Sequence, residues 1–153
     1  MFNTLILKQE MIQNFAKAWD ANKFQLRNYL AGHDQVQYET YKDLVTILFD
    51  VVVNPYMKAL SLSPYDTCKI TEIDDGDYQG ALLYVIPVET YQPSPWEYVI
   101  TFQWYGSCSG CDELQGISNY EGGKPTNEQL DDYMQLCLHM LQHCKIPFSL
   151  DED

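Results

Sequence analysis

The chain has 153 residues, 46% of them hydrophobic and 20% charged, a composition that is typical of a folded domain and excludes a disordered chain. A chain of this length buries roughly 70% of its unfolded surface, so we expect a single domain over residues 1–153. The N-terminus has no basic region and no small-residue cleavage site, and no stretch reaches the roughly 18 apolar residues that span a bilayer. These features predict a cytoplasmic protein that does not associate with a membrane.

The formal net charge of −13 is distributed unevenly along the chain. Residues 1–60 contain six acidic and six basic side chains, whereas residues 61–153 contain 16 acidic and three basic ones, so the second part carries the whole net charge. Direct binding to nucleic acid is disfavoured, because that affinity depends on Lys and Arg side chains that neutralise phosphates. The acidic part is suited instead to a basic protein surface, even one that normally holds nucleic acid, although acidity also keeps small proteins soluble.

Two amphipathic helices are predicted in the first part of the chain. Apolar side chains recur at spacings of three and four over residues 8–30, and Gly32 is a natural stop for this helix. The same pattern repeats over residues 41–52, after which the pair Asn54-Pro55 disfavours continuation of the second helix.

The hydrophobic period changes to two between residues 61 and 105, which indicates β-strands. Three strands are predicted in the segments PYDTCKITEI, ALLYVIPVE and EYVITFQWY, which the turn-rich segments DDGDYQG and TYQPSP separate. We expect an antiparallel sheet. In the third strand two sets of side chains alternate, so one face is expected to be buried and the other mixed. The sets are Tyr98, Ile100, Phe102 and Trp104, and Glu97, Val99, Thr101 and Gln103.

The last predicted helix covers residues 127 to about 144. Gly122-Gly123 interrupts the chain before it, and Thr126 and Gln129 match a capping box. The order of helix, helix, three strands and helix is typical of an α+β fold. We therefore expect two N-terminal helices, a small three-stranded antiparallel sheet, and a C-terminal helix that packs on one face of the sheet.

The segment YGSCSGCDELQGI (105–117) places a C-x-x-C motif between the third strand and a short predicted helix. Three interpretations remain open: a structural turn with Cys108 or Cys111 packed beneath it, a redox dithiol, and half of a metal site. We favour the structural turn. Asp112 and Glu113 disfavour a thiolate, and the βαβ pattern of thioredoxin-like proteins is missing.

A zinc site at this motif requires two further ligands. His139 and His143 lie one turn apart on the last predicted helix, so Cys108, Cys111, His139 and His143 form the one chemically sensible zinc quartet. The competing interpretation is that both histidines are solvated on an outer face of the helix. Apart from this candidate zinc ion, no cofactor is expected.

The two cysteines of the last helix are predicted to pack in the core. Cys137 and Cys144 are seven residues apart, about 10 Å along a helix axis, which is too far for both to bind one zinc ion. They fall on the apolar stripe of the helix, where free cysteine packs as a small hydrophobe. Five cysteines in a chain with no export signal are expected to be reduced thiols.

The run YGSCSGCD (105–112), followed after a short polar gap by NEQLDDYMQLCLHMLQH (127–143), resembles a recurring segment of small uncharacterised proteins of bacteriophages and prophages. The resemblance covers residues 98–145, roughly a third of the chain. It implies a phage-derived accessory protein that acts in the cytoplasm of a bacterial host. It implies no activity, cofactor or catalytic residue.

Binding rather than catalysis is the expected function. No G-x-S-x-G, H-E-x-x-H or G-x-G-x-x-G motif occurs in the chain. Twelve tyrosines exceed what a core of this size requires, and tyrosine is enriched at interfaces. We therefore expect a non-enzymatic protein that binds a host or phage macromolecule through its acidic, tyrosine-rich second part, in a sharper form as a nucleic-acid mimic. The alternative is a thiol redox or zinc-binding protein centred on the CSGC motif.

The carboxylates of this binding surface are expected to form one continuous face. The candidate residues are Asp74, Asp75, Asp77, Tyr78, Glu121, Asp131 and Asp132.

Overall fold

A computed structural model of the chain describes the backbone of residues 2–147 and the side chains of residues 8–147. Within these residues it contains five α-helices and three β-strands, which confirms the α+β class. The elements are α1 (Phe2–Ala31), α2 (Tyr41–Leu48), α3 (Asn54–Ala59), β1 (Thr71–Asp74), β2 (Gly80–Pro87), β3 (Tyr98–Tyr105), α4 (Glu113–Ser118) and α5 (Asn127–Gln142). None of the helices in this described part is long and apolar enough to cross a membrane.

The first predicted helix is confirmed as α1, which extends slightly beyond the predicted range at both ends. The apolar stripe of α1 packs against α5 and against the segment that follows α2. Its buried side chains are Met11, Phe15, Ala18, Leu26 and Leu30. The spacing of three and four residues therefore identified the buried face of this helix correctly.

The second helical region continues past Pro55, but not as one regular α-helix, which agrees with the expectation that Asn54-Pro55 disfavours simple continuation. Residues Phe49–Val53 form a π-helical turn, in which the Asn54 N–H donates to the Phe49 carbonyl. This wider turn joins α2 to α3 and places Pro55 in the first turn of α3, where proline removes no required hydrogen bond. Asn22 of α1 donates to the Val52 carbonyl (2.9 Å), which ties α1 to the π-helical turn.

The three strands form one antiparallel sheet, as predicted, and their order in the sheet is β1-β2-β3. β1 is shorter than the segment PYDTCKITEI because Thr67–Lys69 form a 3-10 turn. The Asp66 side chain caps this turn by accepting a hydrogen bond from the Cys68 N–H (3.2 Å). Upstream of the turn, Tyr65 still pairs with Val88 through an isolated bridge.

The side chains of β3 alternate as predicted, but its buried face is the one with the more polar set. Val99, Thr101 and Gln103 are buried, whereas Trp104 on the opposite face is 66% exposed. The Thr101 hydroxyl donates to the Met140 carbonyl of α5 (2.6 Å), so this polar group is buried without losing a hydrogen bond. The contact with α5 therefore selects the inner face of the strand.

α5 begins at the predicted capping box. The Thr126 hydroxyl accepts a hydrogen bond from the Gln129 N–H (3.1 Å), and the Gln129 side chain accepts one from the Thr126 N–H (2.9 Å). Beyond α5 the chain turns back to the sheet, where Lys145 and Ile100 exchange two backbone hydrogen bonds (2.7 and 2.8 Å). This pairing and the Thr101 contact attach α5 to the edge and inner face of β3.

Candidate functional site

The β1–β2 hairpin brings three of the candidate carboxylates to one end of the sheet. Asp74 ends β1 and accepts a hydrogen bond from the Tyr105 hydroxyl of β3 (2.6 Å). The Asp75 side chain accepts one from the Ala81 N–H (2.7 Å). Asp77 is exposed at the tip of the hairpin. Two of the three carboxylates are therefore held in place, and the third lies in solvent.

Hydrogen bonding at Asp74 shifts two pKa values in opposite directions. The Tyr105 hydroxyl and the Gly76 N–H stabilise the ionised carboxylate, so they lower the pKa of Asp74. The hydrogen bond to Asp74, followed by burial and by nearby carboxylates, raises the pKa of Tyr105 to about 12. At neutral pH the pair is therefore an aspartate that accepts and a neutral tyrosine that donates.

A groove runs from the hairpin toward the start of α2 and α4. We call it the acidic groove and define it by its carboxylates Glu39, Glu72, Asp74 and Asp112. The exposed Glu39 and Glu72 line the same concave surface, because the groove is formed by β1 and by the residues before α2. Sequence analysis missed Glu39 and Glu72, because no local pattern brings residues from these two elements together.

Two further tyrosine hydroxyls donate to carboxylates of the acidic groove. Tyr84 donates to Glu72 (2.9 Å), and Tyr41 donates to Asp112 (2.9 Å). Burial is the largest cause that raises the pKa of both tyrosines far above the ordinary value, and the neighbouring carboxylates add to it. Both hydroxyls therefore remain neutral donors across the physiological pH range.

Asp112 is buried at the base of the acidic groove and anchors the loop that carries the CSGC motif. Its carboxylate accepts hydrogen bonds from the Tyr41 hydroxyl, the Gly106 N–H (2.9 Å) and the Gln115 N–H (3.0 Å). The last of these caps α4. Asp112 therefore ties the end of β3 to the start of α4. An aspartate directly before a predicted helix was the signal that could have identified this role.

A second hollow continues from the acidic groove toward Glu121. Glu39, Thr40 and Gln115 line both the acidic groove and this hollow, and Tyr120 and Glu121 line only the hollow. The Tyr120 hydroxyl donates to the Gln115 side chain (2.6 Å), and the residue is 69% exposed. The hollow therefore extends the acidic surface from Asp74 to Glu121.

The two candidate carboxylates of α5 lie outside this surface. Asp131 forms an ion pair with Arg27 of α1 (2.7 Å). Asp132 lines a separate hollow with Glu113 and Gln135. Neither residue lines the acidic groove or the hollow beside it. Of the candidate carboxylates, Asp74 and Glu121 therefore line the groove and the hollow beside it, whereas Asp131 and Asp132 lie at other positions.

Five of the twelve tyrosines are buried, so part of the tyrosine content serves core packing. They are Tyr38, Tyr41, Tyr65, Tyr84 and Tyr133. The candidate Tyr78 lies in the hairpin beside Asp77 and is 83% exposed, which leaves it available for contact with a partner.

The CSGC motif forms a turn between β3 and α4, which confirms its predicted position. The expectation that one thiol packs beneath the turn is wrong, because both Cys108 and Cys111 are exposed. Their sulfur atoms are 2.8 Å apart. The Cys111 and Asp112 N–H groups both donate to the Cys108 carbonyl (3.1 and 2.9 Å). This turn therefore directs both thiols toward solvent and toward each other.

Two glycines allow close approaches around the turn. A Cβ atom at Gly106 would collide with the backbone carbonyl of Cys111 and would lie 2.9 Å from the Cys111 sulfur. A Cβ atom at Gly116 would lie 2.9 Å from the Ser109 carbonyl oxygen. Glycine therefore permits the observed packing of the turn at both positions.

The surroundings of Cys111 favour its thiolate. Its sulfur atom accepts a hydrogen bond from the Cys108 N–H (3.2 Å) and lies 3.6 Å from the Ser107 hydroxyl. The hydrogen bond from the Cys108 thiol is the largest of the interactions that lower the pKa of Cys111, followed by that from Ser107. Donor groups of Cys108 and Ser107 therefore stabilise the thiolate of Cys111, although no basic side chain lies nearby in sequence.

The structure does not bring the four residues of the predicted zinc quartet together. Within the part of the chain that the structure describes, no three or more His, Cys, Asp or Glu side chains are grouped to hold a metal ion. The His143 ring stacks on Phe102 with ring centroids 4.6 Å apart. His139 lies in the last turn of α5 and is half-buried. Cys108 and Cys111 are neighbours, and so are His139 and His143, but the structure does not group the two cysteines with either histidine.

Cys137 and Cys144 are buried, which confirms their prediction as core residues. Burial raises the pKa of each thiol to about 12. The Cys144 thiol donates to the Met140 carbonyl (3.5 Å). Both thiols are therefore neutral at physiological pH.

Comparisons of the chain with protein-family models, with curated proteins and with solved structures found no match. No relative therefore supplies roles for individual residues. The chain offers two candidate sites, the acidic groove and the CSGC turn, and these meet at Gly106 and Asp112.

Proposed function

We propose that the protein is non-enzymatic and binds a basic segment of a partner protein in the acidic groove. The observation that carries this proposal is the placement of Glu39, Glu72 and Asp74 around one concave surface. Carboxylates that line a cleft concentrate a negative potential there, which attracts cationic partners and speeds their association. The net charge of −13 adds to this attraction.

The other groove residues suit the shape of Lys and Arg side chains. Leu82, which is partly exposed, offers apolar surface to the methylene stems, while Glu39 and Glu72 accept hydrogen bonds from the charged ends. Lys42 also lines the groove and repels a cation at one position. This repulsion favours one arrangement of basic residues in the partner over others.

Exposed tyrosines extend the contact surface on both sides of the groove. Tyr78 lies on the hairpin, and Tyr120 lies in the hollow that leads to Glu121. Tyrosine adds a large and rigid contact area at a low cost in conformational entropy. The proposed interface therefore runs from the hairpin to Glu121, with the acidic groove at its centre.

The resemblance of residues 105–112 to phage and prophage proteins is our reason to seek the partner in a bacterial host. On this basis the protein is a phage-derived accessory protein of the host cytoplasm, and the partner is a host or phage protein. Direct contact with nucleic acid is not part of the proposal, because the acidic groove repels phosphates. In its sharper form the partner surface is one that normally holds nucleic acid, and the carboxylates occupy the place of phosphates.

Affinity capture from infected or lysogenic cells, followed by measurements on the purified partner, tests the proposal. We expect the affinity to fall steeply between about 50 and about 500 mM salt, because screening weakens the attraction between exposed charges. The double variant Glu39→Gln with Glu72→Gln should weaken binding about 10-fold or more at low salt. Glutamine keeps the side-chain shape, and at residue 72 it can still accept the Tyr84 hydrogen bond.

A matched control separates the acidic groove from the net charge. Glu89→Gln with Glu128→Gln removes the same number of charges from exposed positions outside the groove, and we expect less than about a 2-fold change. Equal losses in the two double variants, or binding that does not respond to salt, would contradict the proposal. Recovery of a small metabolite and no macromolecule would contradict it as well. Competition by duplex DNA for the partner would support the nucleic-acid mimic.

A further inference from the structure

We propose that Cys108 and Cys111 form a thiol–disulfide exchange site, in which an external disulfide oxidises the pair to an intramolecular disulfide and an external thiol reduces it again. This inference goes beyond the acidic groove and does not depend on it. It rests on the distance between the sulfur atoms, their exposure, the support of the turn, and the different surroundings of the two thiols.

Formation of the intramolecular disulfide needs little movement. The two Sγ atoms are 2.8 Å apart, and a disulfide bond is about 2.05 Å long. The hydrogen bond from the Cys111 N–H to the Cys108 carbonyl (3.1 Å) already closes the turn that the disulfide would close. Both thiols are exposed, so an external disulfide can reach them. Oxidation and reduction therefore require no repacking of the core.

Groups outside the motif hold the turn in this shape while the thiols are reduced. Asp112 accepts hydrogen bonds from the Gly106 N–H (2.9 Å) and the Tyr41 hydroxyl (2.9 Å). The backbone of Cys111 packs directly against Gly106, where no side chain fits. Because the reduced turn is already ordered, disulfide formation loses little conformational entropy.

The surroundings of the two sulfur atoms assign their roles. The Cys111 sulfur accepts hydrogen bonds from the Cys108 N–H and from neighbouring donors, so its thiolate is stabilised. The adjacent Asp112 carboxylate is buried, and its oxygens accept hydrogen bonds from Tyr41 and Gly106. Its charge is therefore directed toward these donors. Cys111 is the attacking thiol, and Cys108 is the thiol that resolves the mixed disulfide.

The exchange takes place in two balanced steps. The Cys111 thiolate attacks one sulfur of an external disulfide RS–SR, forms a mixed disulfide with one RS group, and releases the other as RS⁻. The Cys108 thiolate then attacks the Cys111 sulfur, forms the Cys108–Cys111 bond, and releases the second RS⁻. The protein loses two electrons and two thiol protons, and the external disulfide gains them as two RSH molecules. Reduction by an external dithiol is the reverse sequence.

The other cysteines of the chain are internal standards for this chemistry. Cys68 is exposed on the turn before β1, and Cys137 and Cys144 are buried. An exposed thiol without a resolving partner stops at the mixed disulfide, whereas a buried neutral thiol does not react. An intramolecular disulfide that is confined to Cys108 and Cys111 is therefore a specific prediction.

The test uses the full-length protein with Cys68→Ser, equilibrated at neutral pH in glutathione buffers of increasing oxidised fraction. After the free thiols are alkylated, mass spectrometry measures the redox state of each cysteine. We expect the protein to lose the mass of two hydrogen atoms in one transition, with the bond mapped to Cys108 and Cys111. Dithiothreitol should reverse the transition completely. A protein that accumulates only glutathione adducts, or that remains reduced when most glutathione is oxidised, would overturn the proposal.

Single variants in the same background test the assigned roles. Cys108→Ser should accumulate a stable glutathione adduct on Cys111, because the resolving thiol is absent. Cys111→Ser should react with glutathione disulfide at least about 5-fold more slowly at neutral pH, because Cys108 lacks the stabilising donors. Equal rates in the two variants would overturn the assignment of Cys111 as the attacking thiol.

The failure of this inference is distinguishable from the failure of the proposed function. The variant Glu39→Gln with Glu72→Gln should oxidise at the same glutathione ratio as the parent protein. The variant Cys108→Ser with Cys111→Ser should retain its affinity for a basic partner. The oxidation result and the binding result can therefore fail independently of each other.

Discussion

Two pairs of cysteines lie in different regions of this molecule and are suited to opposite chemistry. Cys108 and Cys111 lie in an exposed turn with their sulfur atoms 2.8 Å apart. Cys137 lies in α5, Cys144 lies just beyond its end, and both are buried. In the turn, hydrogen bonds lower the pKa of Cys111, whereas burial raises the pKa of both α5 thiols to about 12. The residue type is the same, so the surroundings decide the reactivity.

The difference has a structural origin in how each region uses its backbone. In α5 the backbone N–H groups donate to backbone carbonyls of the same helix, and the Cys144 thiol just beyond it acts as a donor to the Met140 carbonyl. In the CSGC turn the Cys108 N–H is free to donate to the Cys111 sulfur. The thiolate of Cys111 is therefore stabilised because it lies outside a regular helix, where a backbone N–H can donate to the sulfur. Four experiments test this comparison.

The largest effect is expected when the same charge is introduced in both regions. Cys137→Asp places a carboxylate at a fully buried position, so we expect a loss of roughly 3–5 kcal/mol or a failure to fold. Cys108→Asp places it in solvent and should leave the free energy of unfolding nearly unchanged. Urea denaturation followed by circular dichroism measures both. If the first variant does not fold, the milder Cys137→Ser, with an expected loss of about 1–2 kcal/mol, replaces it. Equal losses at the two positions would break the comparison.

The buried pair should also destabilise the protein at alkaline pH. The pKa of Cys137 and Cys144 is raised to about 12 in the folded chain, and in an unfolded chain it is about 8.5. The unfolded chain therefore loses these protons first. The stabilisation is complete below about pH 8.5 and decreases toward about pH 12, by up to about 1.4 kcal/mol per pH unit for each thiol.

Measurements of the free energy of unfolding at about pH 8 and about pH 10 test this sign and size. The variant Cys137→Ala with Cys144→Ala should show a clearly smaller decrease, because the buried tyrosines contribute equally to both proteins. Identical decreases in the two proteins would indicate that the thiols do not titrate as expected.

A smaller effect is expected from a methyl group added just before the CSGC motif, at Gly106, or within it, at Gly110. At Gly106 it collides with the Cys111 carbonyl, whereas at Gly110 its nearest neighbour is the Cys108 sulfur at 4.0 Å. Gly106→Ala should therefore destabilise the fold by about 1–3 kcal/mol and slow the disulfide formation. Gly110→Ala should change stability by less than about 0.5 kcal/mol. Thermal unfolding and the rate of thiol oxidation are the measurements. A harmless Gly106→Ala would show that the turn is not held as described.

The smallest effect concerns the border between the acidic groove and the CSGC turn. Tyr105→Phe removes the hydroxyl that donates to Asp74, so the pKa of Asp74 should rise toward its ordinary value. An NMR titration of the side-chain carboxyl carbons measures this change. The oxidation of Cys108 and Cys111 should be unaffected. A change in thiol reactivity would show that the two sites are coupled through Gly106.

Local patterns in the sequence succeeded where one segment contains the whole interaction. The spacing of apolar residues predicted α1, and the capping box of Thr126 and Gln129 predicted the start of α5. The stripe of α5 predicted that Cys137 and Cys144 are buried. Helix periodicity and capping depend on neighbours within a few residues, so the amino-acid order is sufficient for them.

The same patterns were insufficient where a distant segment decides the outcome. The buried face of β3 is the one on which the Thr101 hydroxyl donates to the Met140 carbonyl. The opposite face is more exposed, although it carries the aromatic residues Phe102 and Trp104. The sequence did not predict that the helical path continues past Pro55 through a π-helical turn, to which Asn22 of α1 donates a hydrogen bond. Packing between elements overrides a local preference of about 1 kcal/mol.

The α+β class, the antiparallel pairing of three strands, the turn position of CSGC and the confinement of the net charge to residues 61–153 follow from the amino-acid sequence alone. The packing of the folded chain is needed to show that both CSGC thiols are exposed, that Asp112 anchors their loop through Tyr41, and that Glu39 and Glu72 line one groove. Tyr41 and Asp112 are 71 positions apart along the chain. No periodicity relates residues at such a separation, and their contact arises from the way the helices and the sheet pack together.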